Sequence, residues 1–320
     1  MQKNRYLVVA VLITVVLAGT IAGLYLFNQP VSGASSQVAQ ETTASTVQNP
    51  IQIVAAENFW GSLVSQLGGS RVNVLSIVTD PNADPHEYES NSADAIAIAG
   101  AKFIIVNGAG YDTWALSLIA ADNNPNQTVL NVQELIGQSI GANPHFWYSP
   151  YYVNDTVKAM YADLVSIDPA GASYYQQQYA ALRASLGVYN ERISEIRNQF
   201  AGTKVASTES IFVYLANATG LDLISPPAFM EAVAEGNDPP AQSIVQFQQE
   251  ITSGNVTVLV YNEQTVTPLT QSIKALAAQH NVPIVGVTET IQPPDVQFQV
   301  WMNAELIAIQ NALNANALGQ

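Results

Sequence analysis

Cysteine is absent from this chain of 320 residues. That excludes disulfides, thiolate metal sites, a thiol nucleophile and a lipid-modified cysteine as a membrane tether. Positive charge is scarce: Lys and Arg total 10 against 25 Asp and Glu, for a formal net charge of −15. Lys3 and Arg5 fall in the N-terminal segment, which leaves eight basic residues and no basic stripe beyond it. Such a body repels a phosphate backbone, so no nucleic-acid partner is expected, and a cation suits its field better. Histidine is rarer still, with three copies at His86, His145 and His280. There is also no His-Glu-x-x-His run and no serine nucleophile elbow, the common signatures of hydrolases.

One long apolar run is present. Lys3 and Arg5 precede Tyr6–Phe27, 22 residues without a charge. That length spans a bilayer, and the flanking positive charges keep Met1 in the cytoplasm with the rest exported. Residues 1–27 are expected to be an uncleaved membrane anchor, with a cleaved signal peptide as the alternative. Residues 28–50 are rich in Ser, Thr, Gln, Ala and Val, hold one charge and no aromatic residue, and read as a flexible stalk.

From Ile51 onward, short apolar runs alternate with helical periods. Val72–Val78, Phe103–Asn107, Lys204–Ser207, Val256–Tyr261 and Pro283–Val287 read as strands with helices between them, the pattern of parallel sheets covered on both faces. Between the two blocks, Asp168–Phe200 reads as a single helix. Tyr175, Tyr179, Leu182, Leu186, Tyr189, Ile193, Ile196 and Phe200 recur at spacings of four and three, which lays one stripe along a rod. Asp168 can cap it and Pro169 suits its first turn. At 1.5 Å per residue the rod is roughly 50 Å long. The expected architecture is α/β, with two Rossmann-like lobes of parallel sheet, residues 51–167 and 201–320, joined by one long rigid helix, residues 168–200.

His86 and His145 each follow a proline, in Asp84-Pro85-His86-Glu87-Tyr88-Glu89 and Asn143-Pro144-His145-Phe146-Trp147. Both lie on loops of the first lobe, and His86 comes just after a strand, where functional groups of open α/β sheets collect. Neutral imidazole is the commonest transition-metal ligand, and the preceding proline stiffens each loop. His280 sits at a helix end and reads as a surface residue facing the helix dipole. Glu209 and Glu289 follow strands of the second lobe. Glu209 also suits a first helical turn on dipole grounds alone. A metal held between the lobes is the expected arrangement.

The order of these motifs resembles the metal-binding receptor subunits of ABC importers for zinc and manganese, the group that also contains streptococcal-type surface adhesin lipoproteins. The matching pieces are the two Pro-His stretches, Asn107-Gly108 with Tyr111-Asp112-Thr113-Trp114, Asp168-Pro169, Glu209-Ser210-Ile211-Phe212-Val213-Tyr214, Pro239-Pro240 and Thr288-Glu289-Thr290. They cover about residues 51–318. The resemblance implies a ligand set of His86, His145, Glu209 and Glu289, and a divalent transition metal as cargo. It also implies a permease with its ATPase as partner, a monomer tethered to the membrane through its N-terminal segment, and no enzymatic activity. Capture would order the ligand loops locally rather than close a wide hinge. The third ligand is often histidine in zinc receptors and glutamate in manganese receptors, so Glu209 points to Mn2+, with Zn2+ next. The fourth is commonly aspartate, and Glu289 is one methylene longer. Protons are expected to compete with the ion at His86 and His145 as pH falls. Glu57, Asp112 and Glu263 are expected at the surface, with orientation of ligands or waters as their alternative role. Two other functions fit the same residues: a surface adhesion or scaffold protein with a structural metal, and a metal-dependent hydrolase, which needs an open coordination position and a nearby base.

Overall fold

Runs of Val, Ile and Phe decide the two sheets of this computed structural model, which describes residues 49–82 and 84–318. In the first lobe β1 (Ile51–Glu57) leads to α1 (Asn58–Gly68), β2 (Val72–Val78) to α2 (Ser92–Gly100), β3 (Phe103–Val106) to α3 (Thr113–Asp122), and β4 (Thr128–Asn131) to a short α4 (Val132–Leu135). The strands pair in the order β2-β1-β3-β4, all parallel. The residues of β3, Phe-Ile-Ile-Val, are all buried, as an interior strand covered by helices on both faces requires. Two helices, α5 (Pro150–Ile167) and α6 (Ala172–Phe200), carry the chain across.

The second lobe repeats the winding. It runs β5 (Lys204–Ser207), α7 (Val213–Thr219), β6 (Asp222–Leu223), α8 (Pro227–Ala234), α9 (Ala241–Thr252), β7 (Val258–Asn262), α10 (Pro268–Gln279), β8 (Ile284–Val287) and α11 (Phe298–Leu318). Its strand order is β6-β5-β7-β8, again all parallel. In both sheets the carboxyl ends of the strands carry the polar loops described below. The α/β class with two parallel sheets and a long helix between them is therefore the observed fold. Residues 1–27 and nearly all of the 28–50 segment lie outside the described residues. No helix among the described residues is long and apolar enough to cross a membrane.

Several boundaries differ from the sequence expectation for physical reasons. The rod begins at Ala172, because Pro169–Gly171 forms a separate 3-10 turn capped by Asp168. Its stripe holds: Tyr175, Leu182, Leu186, Tyr189, Ile193 and Ile196 are buried, while Tyr179 and Phe200 are half-buried at its edges. The third helix starts at Thr113 rather than Tyr111, since Tyr111 is drawn inward. The last helix starts at Phe298 rather than Asp295. The elements α4, β6 and α8 were not expected. Each is too short to display a period, and β6 is two residues paired with Lys204 and Val205.

The rod does more than space two lobes. It packs on α1, α5 and α11, and one continuous apolar cluster runs from Ile53 and Phe103 through Leu186 and Ile193 to Val258 and Val285. The two sheets share a core. At the start of the rod Asp168 Oδ2 accepts from Arg71 Nε at 2.8 Å, Arg71 Nη2 at 2.6 Å and the Tyr175 hydroxyl at 2.9 Å. Burial would raise the Asp168 pKa, but these donors and the Arg71 charge outweigh it and hold the carboxyl below its usual range. Gly171 is required here, because a Cβ at that position would press into Asp168, Arg71 and Tyr175. Asp168→Ala is expected to cost about 1–3 kcal/mol in urea unfolding, less than the roughly 2–5 kcal/mol of Leu186→Ala in the core. A larger loss for Asp168→Ala than for Leu186→Ala would contradict this ordering.

Candidate metal centre

Each histidine is placed by its own loop. After β2 the chain forms the 3-10 turn Pro85–Glu87, in which Asp84 Oδ1 accepts from His86 N at 2.9 Å. Beyond α4, Asn143 Oδ1 accepts from His145 N at 3.1 Å and lies 2.7 Å from His145 Nδ1. Asn143 Nδ2 donates to the Ser210 carbonyl at 2.7 Å, so its oxygen is the atom that faces the ring. An amide oxygen only accepts. Nδ1 therefore carries the proton and Nε2 keeps a lone pair for an ion. Asn107, at the end of β3, donates through Nδ2 to the Pro144 carbonyl at 2.8 Å and steadies the same loop. Burial among Tyr111 and Trp147, together with the neighbouring His86, pushes the His145 pKa well below its usual value, so its ring stays neutral.

The glutamates come from the other sheet. Glu209 follows β5 as an extended residue ahead of the 3-10 turn Ser210–Phe212, rather than opening a helix directly. Glu289 follows β8. Asn262, the last residue of β7, donates from Nδ2 to Glu209 Oε1 at 2.9 Å and to Glu289 Oε1 at 2.8 Å. The Tyr111 hydroxyl crosses from the first lobe to donate to Glu289 Oε2 at 2.7 Å. His145, Glu209 and Glu289 are fully buried, and the His86 side chain keeps 18% of its exposure. A cavity of about 770 Å3 borders His86 on that side.

One ligand atom from each of His86, His145, Glu209 and Glu289 lies within 4.8 Å of the others. His86 Nε2 is 3.4 Å from His145 Nε2 and 3.4 Å from Glu289 Oε2. His145 Nε2 is 3.8 Å from Glu289 Oε2 and 3.9 Å from Glu209 Oε1. An ion bonded at about 2.1 Å to each donor sets donors roughly 3–3.5 Å apart, so the pairs at 3.4–3.9 Å stand close to that spacing while the widest pair of the set, within 4.8 Å, closes further around an ion. Among the described residues the ion-pair partners of the two glutamates are these histidines alone. Glu209 Oε2 is buried with no hydrogen-bond partner. Burial and then the Glu289 charge push the Glu209 pKa well above its usual value. Two buried carboxylates without a basic residue call for a proton or a cation, and two facing imidazole nitrogens make a cation the better fit.

The family described as "ZnuA: Zinc-uptake complex component A periplasmic" matches residues 53–312. The chain belongs to this family. It is 28% identical over 193 residues to the manganese-binding lipoprotein MntA of Halalkalibacterium halodurans, a match spanning 58% of this chain and 63% of MntA. It thus spans less than two thirds of that relative's length. It is 26% identical over 263 residues to the iron-binding protein YfeA of Yersinia pestis, spanning 77% of this chain and 80% of YfeA. The periplasmic zinc-binding protein TroA of Treponema pallidum shares the fold, with a TM-score of 0.72 at 16% identity over 83% of this chain and 99% of that one.

Behind the four donors lie groups that sequence reasoning misplaced. Glu57 and Asp112 are buried, not surface carboxylates, while Glu263 is exposed and lies over Gly286. Asp112 accepts from Asn107 N at 2.6 Å and Gly108 N at 2.8 Å and so shapes the turn that presents Tyr111. Gly108, at φ 78°, leaves no room for a side chain beside Asn131 and Gln133. Burial and then the adjacent Asp112 raise the Glu57 pKa well above its usual value, and both of its carboxyl oxygens are buried with no hydrogen-bond partner. Burial raises Asp112 to about 6. Glu305 on α11 was not singled out from the sequence at all. Its Oε1 accepts from Thr288 N at 3.0 Å and its Oε2 from the Tyr148 hydroxyl at 2.8 Å. Burial lifts it to about 8 despite these bonds. A carboxyl raised in the folded state binds its proton more tightly there than in the unfolded chain. Its stabilisation is complete below the unfolded pKa, about 4.3 for glutamate, and is lost as pH rises toward the folded value. Glu305→Gln is expected to flatten the fall in Tm of the metal-free protein between about pH 5 and about pH 8; an unchanged slope would place the Glu305 proton elsewhere.

Proposed function

We propose that this chain is an extracytoplasmic receptor that binds one divalent transition-metal ion through His86, His145, Glu209 and Glu289 and delivers it to the permease of an ABC importer, driven by its ATPase. The observation that carries this reading is the meeting of two imidazole nitrogens and two buried carboxylates within 4.8 Å, drawn from the two lobes, with no lysine or arginine paired to the carboxylates among the described residues. Membership of a family described as an uptake-complex component supports the receptor role. In this reading residues 1–27 anchor a monomer in the membrane, residues 28–50 are its stalk, and residues 51–167 and 201–320 are lobes flanking a 168–200 connector.

Manganese is the favoured ion and zinc the next. Carboxylate oxygens suit Mn2+, whereas imidazole serves Zn2+ well, and zinc lies higher in the affinity order for any given site. MntA, a relative described as manganese-binding, supports the same preference. The cavity beside His86, the one partly exposed donor, is the route by which an ion reaches the centre.

A competition titration of the metal-stripped protein with Mn2+ and Zn2+ tests this. One tight equivalent per chain is expected, lost in the His86→Ala, Glu289→Ala double variant; no tight binding of either ion would reject the receptor. Metal that leaves only when the protein unfolds would favour a structural ion in a scaffold. The pH profile has a defined sign. Burial keeps His145 neutral and pushes the Glu209 pKa well above its usual value, so a proton on Glu209 competes with the ion. Affinity is expected to fall as pH is lowered, and a flat profile would mean that no proton leaves on binding.

A further inference from the structure

The order β5-β7-β8 places the end of β7 between the strand leading to Glu209 and the strand leading to Glu289. The residue at that point is Asn262, and it is fully buried. Its Nδ2 reaches Glu209 Oε1 at 2.9 Å, Glu289 Oε1 at 2.8 Å and Thr265 Oγ1 at 3.0 Å. Its Oδ1 accepts from Gln264 N at 2.9 Å, so the carboxamide cannot turn over without setting an NH2 group against an N–H. Its own N donates to Thr208 Oγ1 at 3.2 Å, next to Glu209. Two residues on, Gln264 Oε1 accepts from Glu289 N at 2.6 Å and Thr290 N at 2.9 Å. A three-residue turn therefore grips both carboxylates and the backbone of one of them.

We propose that Asn262 is a positioning residue that fixes the two glutamates for the incoming ion and tilts the selectivity of the centre toward manganese over zinc. The inference rests on the four-donor reading above. One neutral amide does for the empty centre what a cation does for the full one: it holds two carboxylates together that otherwise repel. Ordering them in advance removes a cost that binding must otherwise meet. The amide acts directly on the oxygen half of the donor set: His145 is held by Asn143, and the His86 loop is reached only at one remove, through Thr265 Oγ1, which lies 3.0 Å from Asn262 Nδ2 and 3.4 Å from Asp84 Oδ2. A hard ion such as Mn2+ draws relatively more of its affinity from carboxylate oxygen, and Zn2+ relatively more from imidazole. Loosening the glutamates therefore costs manganese more. Aspartate at this position would turn an oxygen toward two carboxylates, and an aliphatic side chain would offer them nothing.

The test is Asn262→Leu, which keeps the shape without the donors, alongside Asn262→Ala in case the branched side chain disturbs folding. Near-ultraviolet circular dichroism of the metal-free full chain reports which variants are folded. Affinities for Mn2+ and Zn2+ are measured by competition, together with the electron paramagnetic resonance line width of bound Mn2+. The expected result is a manganese affinity lower by about 10–100-fold, the range for groups that orient metal ligands, a smaller loss for zinc, and a changed Mn2+ line width. An equal loss for both ions would reduce Asn262 to a structural residue and overturn the selectivity claim. Unchanged affinities would overturn the inference while leaving the receptor standing. A wild-type protein that binds neither ion would remove both.

Discussion

Two carboxylates, Glu209 and Glu289, are buried side by side without a lysine or arginine among their ion-pair partners in the described residues. That arrangement is costly in isolation, and much of the structure around it manages the cost. Asn262 and Tyr111 donate to the oxygens, the Glu209 pKa moves up so that it can hold a proton, and two imidazole nitrogens face the same point. In the proposed reading a metal ion takes the place of that proton.

The fold makes this economical. Both sheets are parallel and wound in the same order, and residues just beyond their strands meet at one point, as the Tyr111–Glu289 hydrogen bond and the four-residue cluster show. The first lobe contributes flexible-chain loops stiffened by proline and tied by Asp84 and Asn143. The second contributes residues directly after strands, where the backbone is already fixed by the sheet. Because one apolar cluster runs through both lobes and the α6 rod, the spacing between the two halves is set by core packing rather than by the centre itself. Hydrogen bonds across the join, from Asn143 to Ser210, Tyr214 to Asn143 and Ile291 N to Asn58 Oδ1, add to that. Such a frame favours local adjustment of loops over hinge closure.

The buried groups behind the donors form a further layer. Asp112 shapes the turn carrying Tyr111, Glu57 is buried near it, and Glu305 holds the backbone just ahead of Glu289. Each is an acid pushed upward by burial, Asp112 to about 6 and Glu305 to about 8, so the metal-free protein holds these protons to higher pH than the unfolded chain does.

Sequence alone determined the alternation of strands and helices, the stripe along the rod, and the two Pro-His loops, because these depend on local period and local stiffness. His86, His145, Glu209 and Glu289 stood out because each sits in a short motif of its own. What remained hidden depends on contacts between distant residues. Nothing in the neighbourhood of Glu57 or Asp112 marks them as buried, since burial is decided by β1 and the Asn107–Asp112 turn meeting in space. Asn262 reads as an ordinary strand end, and Glu305 as one acid on a long helix. Their roles arise only when strand order sets β7 between β5 and β8 and α11 folds back beneath the Thr288 turn. A periodic pattern states which face of an element is apolar. Tertiary packing decides which polar groups are trapped with it, and therefore which must be satisfied by one another.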